Sequence, residues 1–270
     1  MVFRRAHIYI LVCICLLAGP GKSQETEKEY VGLIEPYRVV NVGSPQIGVL
    51  ATVDVDRGDM VKKGQIIATL QSEVEEAALE VARYRTQMEA GVEVREVNME
   101  LAERKRIRYN QLYEDELIPF SDMDEVETTK RLTEKQLSEA KENKELADYE
   151  LKQNLAVVER MTIRSPIDGV VMERFLHPGE HIENEAILKI AQINPLNVEM
   201  ILPIALYGNF KVGMRAWVIP EAPINGRYNA VVEIVDKVID GASGTFGVRL
   251  ELWNQDYKLP AGVKCRVIFP

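Results

Sequence analysis

Two histidines are the first candidates for chemistry in this sequence. His177 and His181 lie four residues apart, a spacing that would place two metal ligands on one face of a helix. Pro178 and Gly179 separate them, and this pair predicts a turn instead of a helix. Cys265 stands in an alternating apolar stretch, which is typical of a buried strand residue. We therefore expect no metal site and no bound cofactor.

The motifs of the common enzyme classes are absent from the sequence. It has no complete Walker phosphate-binding loop, no nucleophile elbow and no His-Glu-x-x-His zinc motif. Its many glutamates are concentrated in one central segment, where an exposed helix face explains them. The formal net charge is −9, and a nucleic-acid partner would require a basic face. We expect a protein with no catalytic residues that does not bind nucleic acid.

Composition divides the chain into three parts. The strands and helices that these parts form must position any functional residue. Residues 31–71 and 163–270 are rich in Val, Ile and Gly, which favours strands and turns. Residues 73–162 contain one glycine, Gly91, and one proline, Pro119, and are rich in Glu, Ala, Lys, Arg and Leu. The order of the parts predicts β structure, a long α-helical insertion and β structure again.

Apolar residues of the central segment recur at heptad spacing, which predicts an antiparallel coiled coil. Its second half carries two such rows, and its first half carries one rougher row. The rows consist of Val126, Thr133, Ala140, Ala147 and Met161; of Leu137, Leu151 and Val158; and of Val74, Val81, Met88, Met99 and Ala102.

The segment has one clear break, at Pro119, which cannot continue a helix. Ser121 is expected to cap the helix that follows. Two helices of roughly 40 residues would then form a hairpin about 60 Å long. Leu117, Ile118 and Phe120 surround the break, and an apolar group at the end of a polar rod indicates a partner. The alternative is that these three side chains only hold the turn together.

The two β segments that flank the hairpin repeat each other at a constant offset of 121 residues. Neither repeat can bury its apolar face alone, whereas two together can close a small sandwich. Four glycines at matching positions are expected to form its turns or close approaches. They are Gly48, Gly58, Gly169 and Gly179. The matching segments are 45–50 with 166–171, 58–61 with 179–182, and 66–67 with 187–188.

The first residues are typical of an export signal. Arg4 and Arg5 precede an apolar run at 8–18 that is short for a membrane span, and small residues follow it. We expect a signal peptide that ends near Ser23. The alternative is an uncleaved anchor.

These observations predict an α+β fold, with a β-sandwich that is split by an inserted coiled-coil hairpin. The two halves of the sandwich resemble the biotinyl/lipoyl domain, and the family resemblance described below implies that a β-barrel domain follows. We predict a signal peptide at 1–23, the first half of the sandwich at 30–72 and the hairpin at 73–162. The second half of the sandwich is predicted at 163–193 and the barrel at 194–270.

Residues 30–270 resemble the membrane fusion protein (HlyD-like) family. The resemblance is clearest in GVLATVDVDRGDMVKKGQIIATL (48–70) and in IRSPIDGVVMERFLHPGEHIENEAILKIAQINPLNVEMILP (163–203). Shorter stretches of the tail, VGMRAWVIP, VRLELWN and LPAGVKCRVIF, are similar to the family barrel. A fourth, membrane-proximal domain found in many members is expected to be absent.

The resemblance implies a periplasmic adaptor of a tripartite efflux or secretion pump. Such adaptors link an inner-membrane transporter, of resistance-nodulation-division or ABC type, to an outer-membrane channel, and they assemble as trimers or hexamers. Drug, metal and protein cargoes are equally compatible with it. Family tips often carry Arg, Leu and Ser, and Arg108 and Leu112 match the first two in spacing. The Ser position falls on Pro119, with Ser121 two residues later.

Two alternatives come from other classes of protein. A biotin or lipoyl carrier would need a lysine at the junction of the two halves, but here the hairpin occupies that junction. Lys62 and Lys63 lie elsewhere, after the turn at Gly58. A purely structural coiled-coil protein would need neither the repeated β halves nor the barrel.

Overall fold

The computed structural model describes residues 28–270 and divides into two compact units. The predicted signal peptide at 1–23 lies outside the described residues. The first unit comprises residues 34–197 and 252–262, and the second comprises residues 28–33, 198–251 and 263–270. The elements in chain order are β1 (Lys28–Gly43), β2 (Gly48–Val53), β3 (Met60–Val61), β4 (Ile66–Leu70), α1 (Glu73–Thr86), α2 (Ala90–Glu114), α3 (Phe120–Arg160), β5 (Thr162–Arg164), β6 (Gly169–Arg174), β7 (His181–Ile182), β8 (Ala186–Pro203), a 3-10 helix (Ile204–Leu206), β9 (Arg215–Pro220), β10 (Tyr228–Val235), β11 (Thr245–Leu252) and β12 (Val263–Phe269).

The sandwich of the first unit is built by exchange of strands between the two repeats. One sheet has the order β5-β4-β2-β7, and in the other β6 lies between β3 and β8. Strand β2 pairs with β7 so that Gly48 opposes Ile182, and β3 pairs with β6 so that Val61 opposes Gly169. These two pairings are related by the 121-residue offset, so each repeat supplies a short strand to the other.

The sandwich core draws on equivalent positions of the two halves. Leu50 and Ile67 are fully buried, and so are their counterparts Val171 and Leu188. These side chains form one cluster with Val61, Leu70, Ile163, Ile182, Ile187 and Ile190. The predicted split sandwich is therefore confirmed, because residues from both sides of the hairpin bury one another.

The four predicted turn glycines fall into two kinds. Gly58 and Gly179 have φ values of +96° and +90°. Residues other than glycine adopt this backbone conformation only at an energetic cost. At Gly169 a Cβ would lie 2.2 Å from the carbonyl oxygen of Ala191, so the backbones of β6 and β8 meet too closely for any side chain. Gly48 occupies the matching position in the first repeat, but a Cβ there would only touch Leu70 at 3.5 Å.

The hairpin has three helices instead of the two that we predicted. Residues 87–89 interrupt the first arm between α1 and α2. Gly91 lowers helix propensity at this place. The Glu89 carboxylate accepts a hydrogen bond from Lys144 Nζ at 2.9 Å across the hairpin, which lowers the pKa of Glu89 and raises that of Lys144.

The interface between the two arms of the hairpin, its seam, contains the predicted apolar row on α3 but not the predicted row on α1. Val126 is buried, and the other predicted residues of α3 are half-buried. On α1 the buried residues are Leu79 and Ala82, whereas Val74 and Val81 are exposed. The prediction for α1 was wrong because this helix carries two apolar rows, and only packing against α3 selects one of them.

The second unit is a barrel of six strands from the described residues. Their order is β1-β12-β9-β10-β11-β8, and β8 pairs with β1 to close it, which leaves no free strand edge in this ring. Aromatic rings fill part of its interior: Phe210 lies 5.3 Å from Tyr30 and 5.1 Å from Phe269 between ring centroids. The predicted α+β fold class is thus confirmed.

The two matched glycines provide a test of the sandwich. We expect Gly169→Ala to lower the free energy of unfolding by about 2 kcal/mol or more. The added methyl group would overlap the Ala191 carbonyl, and a backbone carbonyl cannot move aside as a flexible side chain can. Gly48→Ala should change it by less than about 0.5 kcal/mol. Urea unfolding followed by circular dichroism measures both. Equal losses from the two variants would contradict the assignment of the close approach to Gly169.

Candidate functional site

The turn at the hairpin tip is held by backbone hydrogen bonds. α2 ends at Glu114, and the Leu117 N–H then donates to the Leu112 carbonyl at 2.9 Å, while the Glu116 N–H donates to the Tyr113 carbonyl at 3.0 Å. This pair of bonds is a Schellman motif. Its left-handed position, which glycine usually fills, holds Glu116 with φ of 59°. The chain thus reverses tightly, with local strain at one residue.

Helix α3 begins differently from our prediction. Its N-cap is Pro119, in extended conformation, and no side chain caps the first turn. Ser121 lies inside the helix, with its Oγ 3.2 Å from Asp122 Oδ1. The predicted Ser121 cap is therefore wrong. Pro119 has a ψ of 157°, so it stays outside the helix, and its missing N–H leaves no donor unpaired at the turn.

An apolar surface lies at the end of the hairpin. The side chains of Leu117 and Phe120 are 69% and 66% exposed, and Ile118 is half-buried. The ring of Tyr113 meets that of Phe120 edge-on, with centroids 6.1 Å apart. We call Tyr113, Leu117, Ile118 and Phe120 the tip patch. Tyr113 was missed by the sequence analysis, although it lies four residues, about one helical turn, before Leu117.

The two remaining predicted tip residues stand apart from this surface. Leu112 is half-buried and supplies the carbonyl that closes the turn. Arg108 is exposed on α2, six residues before the helix ends at Glu114, which is about 9 Å along the axis. The structure therefore does not join Arg108 to the tip patch.

Exposed carboxylates flank the tip patch in the sequence. Glu114, Asp115, Glu116 and Asp122 are all exposed, and Asn110 donates a hydrogen bond to Glu114 at 2.6 Å. An apolar centre with an acidic rim is suited to a partner surface that has an apolar centre and basic or hydrogen-bond-donating neighbours.

The residues considered for metal binding and catalysis do not lie together at one site. His177 Nδ1 lies 3.9 Å from Glu180 Oε1, and His181 Nε2 lies 3.8 Å from Glu183 Oε1, so each histidine faces its own neighbour. Among residues 28–270, no three His, Cys, Asp or Glu side chains converge on a common point. Burial raises the pKa of the Cys265 thiol to about 12, so this thiol is protonated at neutral pH.

The two lysines considered for a carrier function lie in a turn before β4. The Lys62 N–H donates to Gln65 Oε1 at 2.9 Å, and the Lys63 N–H donates to Asp168 Oδ1 at 2.8 Å. Asp168 belongs to the second repeat, so this turn is tied to the other half of the sandwich.

Along the described part of the chain, no helix has the length and apolar character needed to cross a membrane.

Comparison with known proteins gives one family and several structural relatives. The family of CzcB-like barrel-sandwich hybrid domains matches residues 38–192, which is more than half of the 270 residues. Among curated proteins, an uncharacterized protein of Haemophilus influenzae is 21% identical over 238 residues. That match covers 87% of this chain, which spans 55% of the length of that relative.

Solved structures support the same fold. MacA from Actinobacillus actinomycetemcomitans is similar with a TM-score of 0.76 at 20% identity, covering 90% of this chain and 79% of MacA. The membrane fusion protein Spr0693 from Streptococcus pneumoniae R6 is similar with a TM-score of 0.60 at 15% identity. That second match covers 90% of this chain and 98% of Spr0693.

The strained residue at the turn provides a test of the tip geometry. We expect Glu116→Gly to raise the free energy of unfolding of the hairpin by about 1 kcal/mol, because glycine adopts the left-handed conformation without a Cβ clash. Glu116→Ala, the matched control, keeps the Cβ and should give no such gain. Loss of helical circular dichroism in urea measures both variants. A similar gain from both would show that the carboxylate, and not the backbone, is unfavourable there.

Proposed function

This chain belongs to the HlyD-like membrane fusion protein family through its CzcB-like barrel-sandwich hybrid domain, and we propose that it is the periplasmic adaptor of an efflux or secretion pump. In this role it links an inner-membrane transporter, of resistance-nodulation-division or ABC type, to an outer-membrane channel. Several copies assemble, as a trimer or hexamer, and the adaptor performs no catalysis. An export signal ending near Ser23 would deliver it to the periplasm.

The observation that best supports this proposal is the exposed apolar end of the hairpin. Leu117 and Phe120 remain about two-thirds exposed at the end of the hairpin, next to the exposed carboxylates of Glu114, Asp115 and Glu116. Two arms of a hairpin roughly 60 Å long carry this surface away from the sandwich. Such an arrangement serves contact at a distance, and no enzyme site requires it.

The tip patch is small, and its contact with a channel would be weak for one copy. A ring of adaptors presents several tips at once, so that weak contacts add through high effective concentration. The acidic rim of Glu114, Asp115, Glu116 and Asp122 would select a channel end with basic or donor groups around an apolar centre. We propose that Tyr113, Leu117, Ile118 and Phe120 make the apolar contact, with the Leu112 carbonyl closing the turn.

The role of the tip patch can be tested in the host organism. Deletion of the gene should reveal the cargo, as lost resistance within a panel of drugs and metal ions or as lost proteins in the culture medium. We expect the double variant Leu117→Asp/Phe120→Asp to reproduce this deletion phenotype, because two carboxylates would be buried at the contact. Its cross-linking to the inner-membrane transporter should stay at the wild-type level.

The matched control is Leu117→Met/Phe120→Leu, which keeps the surface apolar and should retain export. Circular dichroism should show equal helix content in all three proteins. If the aspartate variant exports its cargo normally while the deletion strain does not, the tip patch has no docking role. If it loses both export and transporter cross-linking, the effect arises from misfolding.

A further inference from the structure

A cleft opens on the outer surface of the barrel. It has a volume of about 320 Å³ and is lined by Arg215, Ala216, Trp217, Asn229 and Pro270. These residues belong to β9, to β10 and to the chain just after β12, and the three strands are neighbours in one sheet. A cleft of this volume can hold a small molecule or the headgroup of a larger one. We call it the outer cleft.

The strand pattern shows which side chains face the outer cleft. Side chains alternate along a strand, and Val218 on β9 is fully buried in the barrel, so Arg215 and Trp217 face outward. Asn229 on β10 lies directly opposite Trp217, and the buried Ile268 on β12 lies opposite it on the other side. Trp217 therefore stands at the centre of a three-strand surface.

The indole ring of Trp217 is held by a cation–π contact. The guanidinium carbon of Arg227 lies 4.5 Å from the centre of this ring. This contact orders the ring before any ligand arrives, which lowers the entropic cost of binding against it. It also places a positive charge next to the outer cleft.

Arg215 brings a second positive charge to the outer cleft. Its side chain is exposed, and within residues 28–270 it takes part in no ion pair. Two other arginines of the barrel are paired, Arg249 with Glu199 and Arg266 with Glu29. In a protein of net charge −9, an unpaired arginine in a cleft is suited to an anionic ligand.

The strands next to Arg215 bring no carboxylate opposite it. Its cross-strand partner on β10 is Val231, which is apolar. Glu233 lies two residues further along β10, and Glu29 of β1 is already bound to Arg266. The charge of Arg215 is therefore available to a ligand.

The side chains of the outer cleft match an organic phosphate. The planar guanidinium of Arg215 can donate two parallel N–H bonds to phosphate oxygens. The amide of Asn229 provides a further N–H donor. The ring of Trp217 and the side chain of Pro270 provide apolar surface for the carbon part of the ligand.

We propose that the outer cleft binds the phosphate group of an organic phosphate ester, with Arg215 as its ionic partner and Trp217 beside its carbon chain. The headgroup of an anionic phospholipid and a soluble phosphate ester share this chemistry. The inference goes beyond the proposed adaptor function and does not depend on it, because every residue of the outer cleft belongs to the barrel unit.

Tryptophan fluorescence tests this site directly. The chain has two tryptophans, so Trp253→Phe leaves an emission that reports on Trp217 alone. The purified Trp253→Phe chain is titrated with glycerol 1-phosphate, with dihexanoylphosphatidylglycerol below its critical micelle concentration, and with glycerate. We expect a saturable change of the Trp217 emission with at least one of the two phosphates and a weaker response to glycerate, whose planar carboxylate has fewer oxygens to accept bonds.

Variants in the same background separate the site from general charge attraction. Arg215→Ala and Arg215→Gln should each weaken phosphate binding about tenfold, because a charge-assisted hydrogen bond is lost. The matched control is Lys237→Ala, which removes an exposed positive charge of the barrel unit outside the outer cleft. It should change the dissociation constant by less than about twofold, since exposed charges at a distance are screened.

The outcomes also identify the source of the phosphate. Saturation by glycerol 1-phosphate supports a soluble ester, and saturation by the lipid alone supports a phospholipid headgroup. The inference is overturned if neither phosphate gives a saturable change, or if glycerate binds as tightly as glycerol 1-phosphate. It is also overturned if the Arg215 variants bind like the Trp253→Phe parent, or if Lys237→Ala weakens binding as much as they do.

Discussion

The first unit depends on reciprocal hydrogen bonds between the two repeats. The Gly58 N–H donates to the Val171 carbonyl at 2.9 Å, and 121 residues later the Gly179 N–H donates to the Leu50 carbonyl at 2.8 Å. Leu50 and Val171 in turn donate to Glu180 and Asp59 of the opposite repeats. Neither repeat can satisfy its backbone or bury its apolar face alone. The sandwich therefore forms only when both repeats are present.

This constraint explains the hairpin. The second repeat begins some 90 residues after the first ends, and an antiparallel pair of arms is the simplest way to return the chain to its starting point. Since α1 and α3 both have one end at the sandwich, the turn at 115–119 lies at the far end. Few residues of the hairpin are fully buried between its arms, so each arm keeps apolar side chains for other contacts.

The structure therefore separates two surfaces that the sequence analysis had grouped at the tip. Leu117 and Phe120 form an end surface with Tyr113. The carboxylates next to this surface would favour a partner with basic or hydrogen-bond-donating groups. Arg108 belongs to a side of α2 whose neighbours are Leu101 and Val97. The proposed channel contact would use the end surface alone, because Arg108 lies outside it.

The sequence by itself determined the order of the parts and the pairing of the two repeats, because strand, helix and turn signals are local and a repeat can be recognised at any distance. It also located the break at Pro119 and the positions of Gly58 and Gly179. It did not distinguish Gly169 from Gly48, since only the approach of Ala191 makes glycine obligatory at one of them. It did not choose between the two apolar rows of α1, nor foresee that residues 28–33 belong to the barrel. These features depend on which distant residue packs against each position, and that is decided only by the tertiary structure.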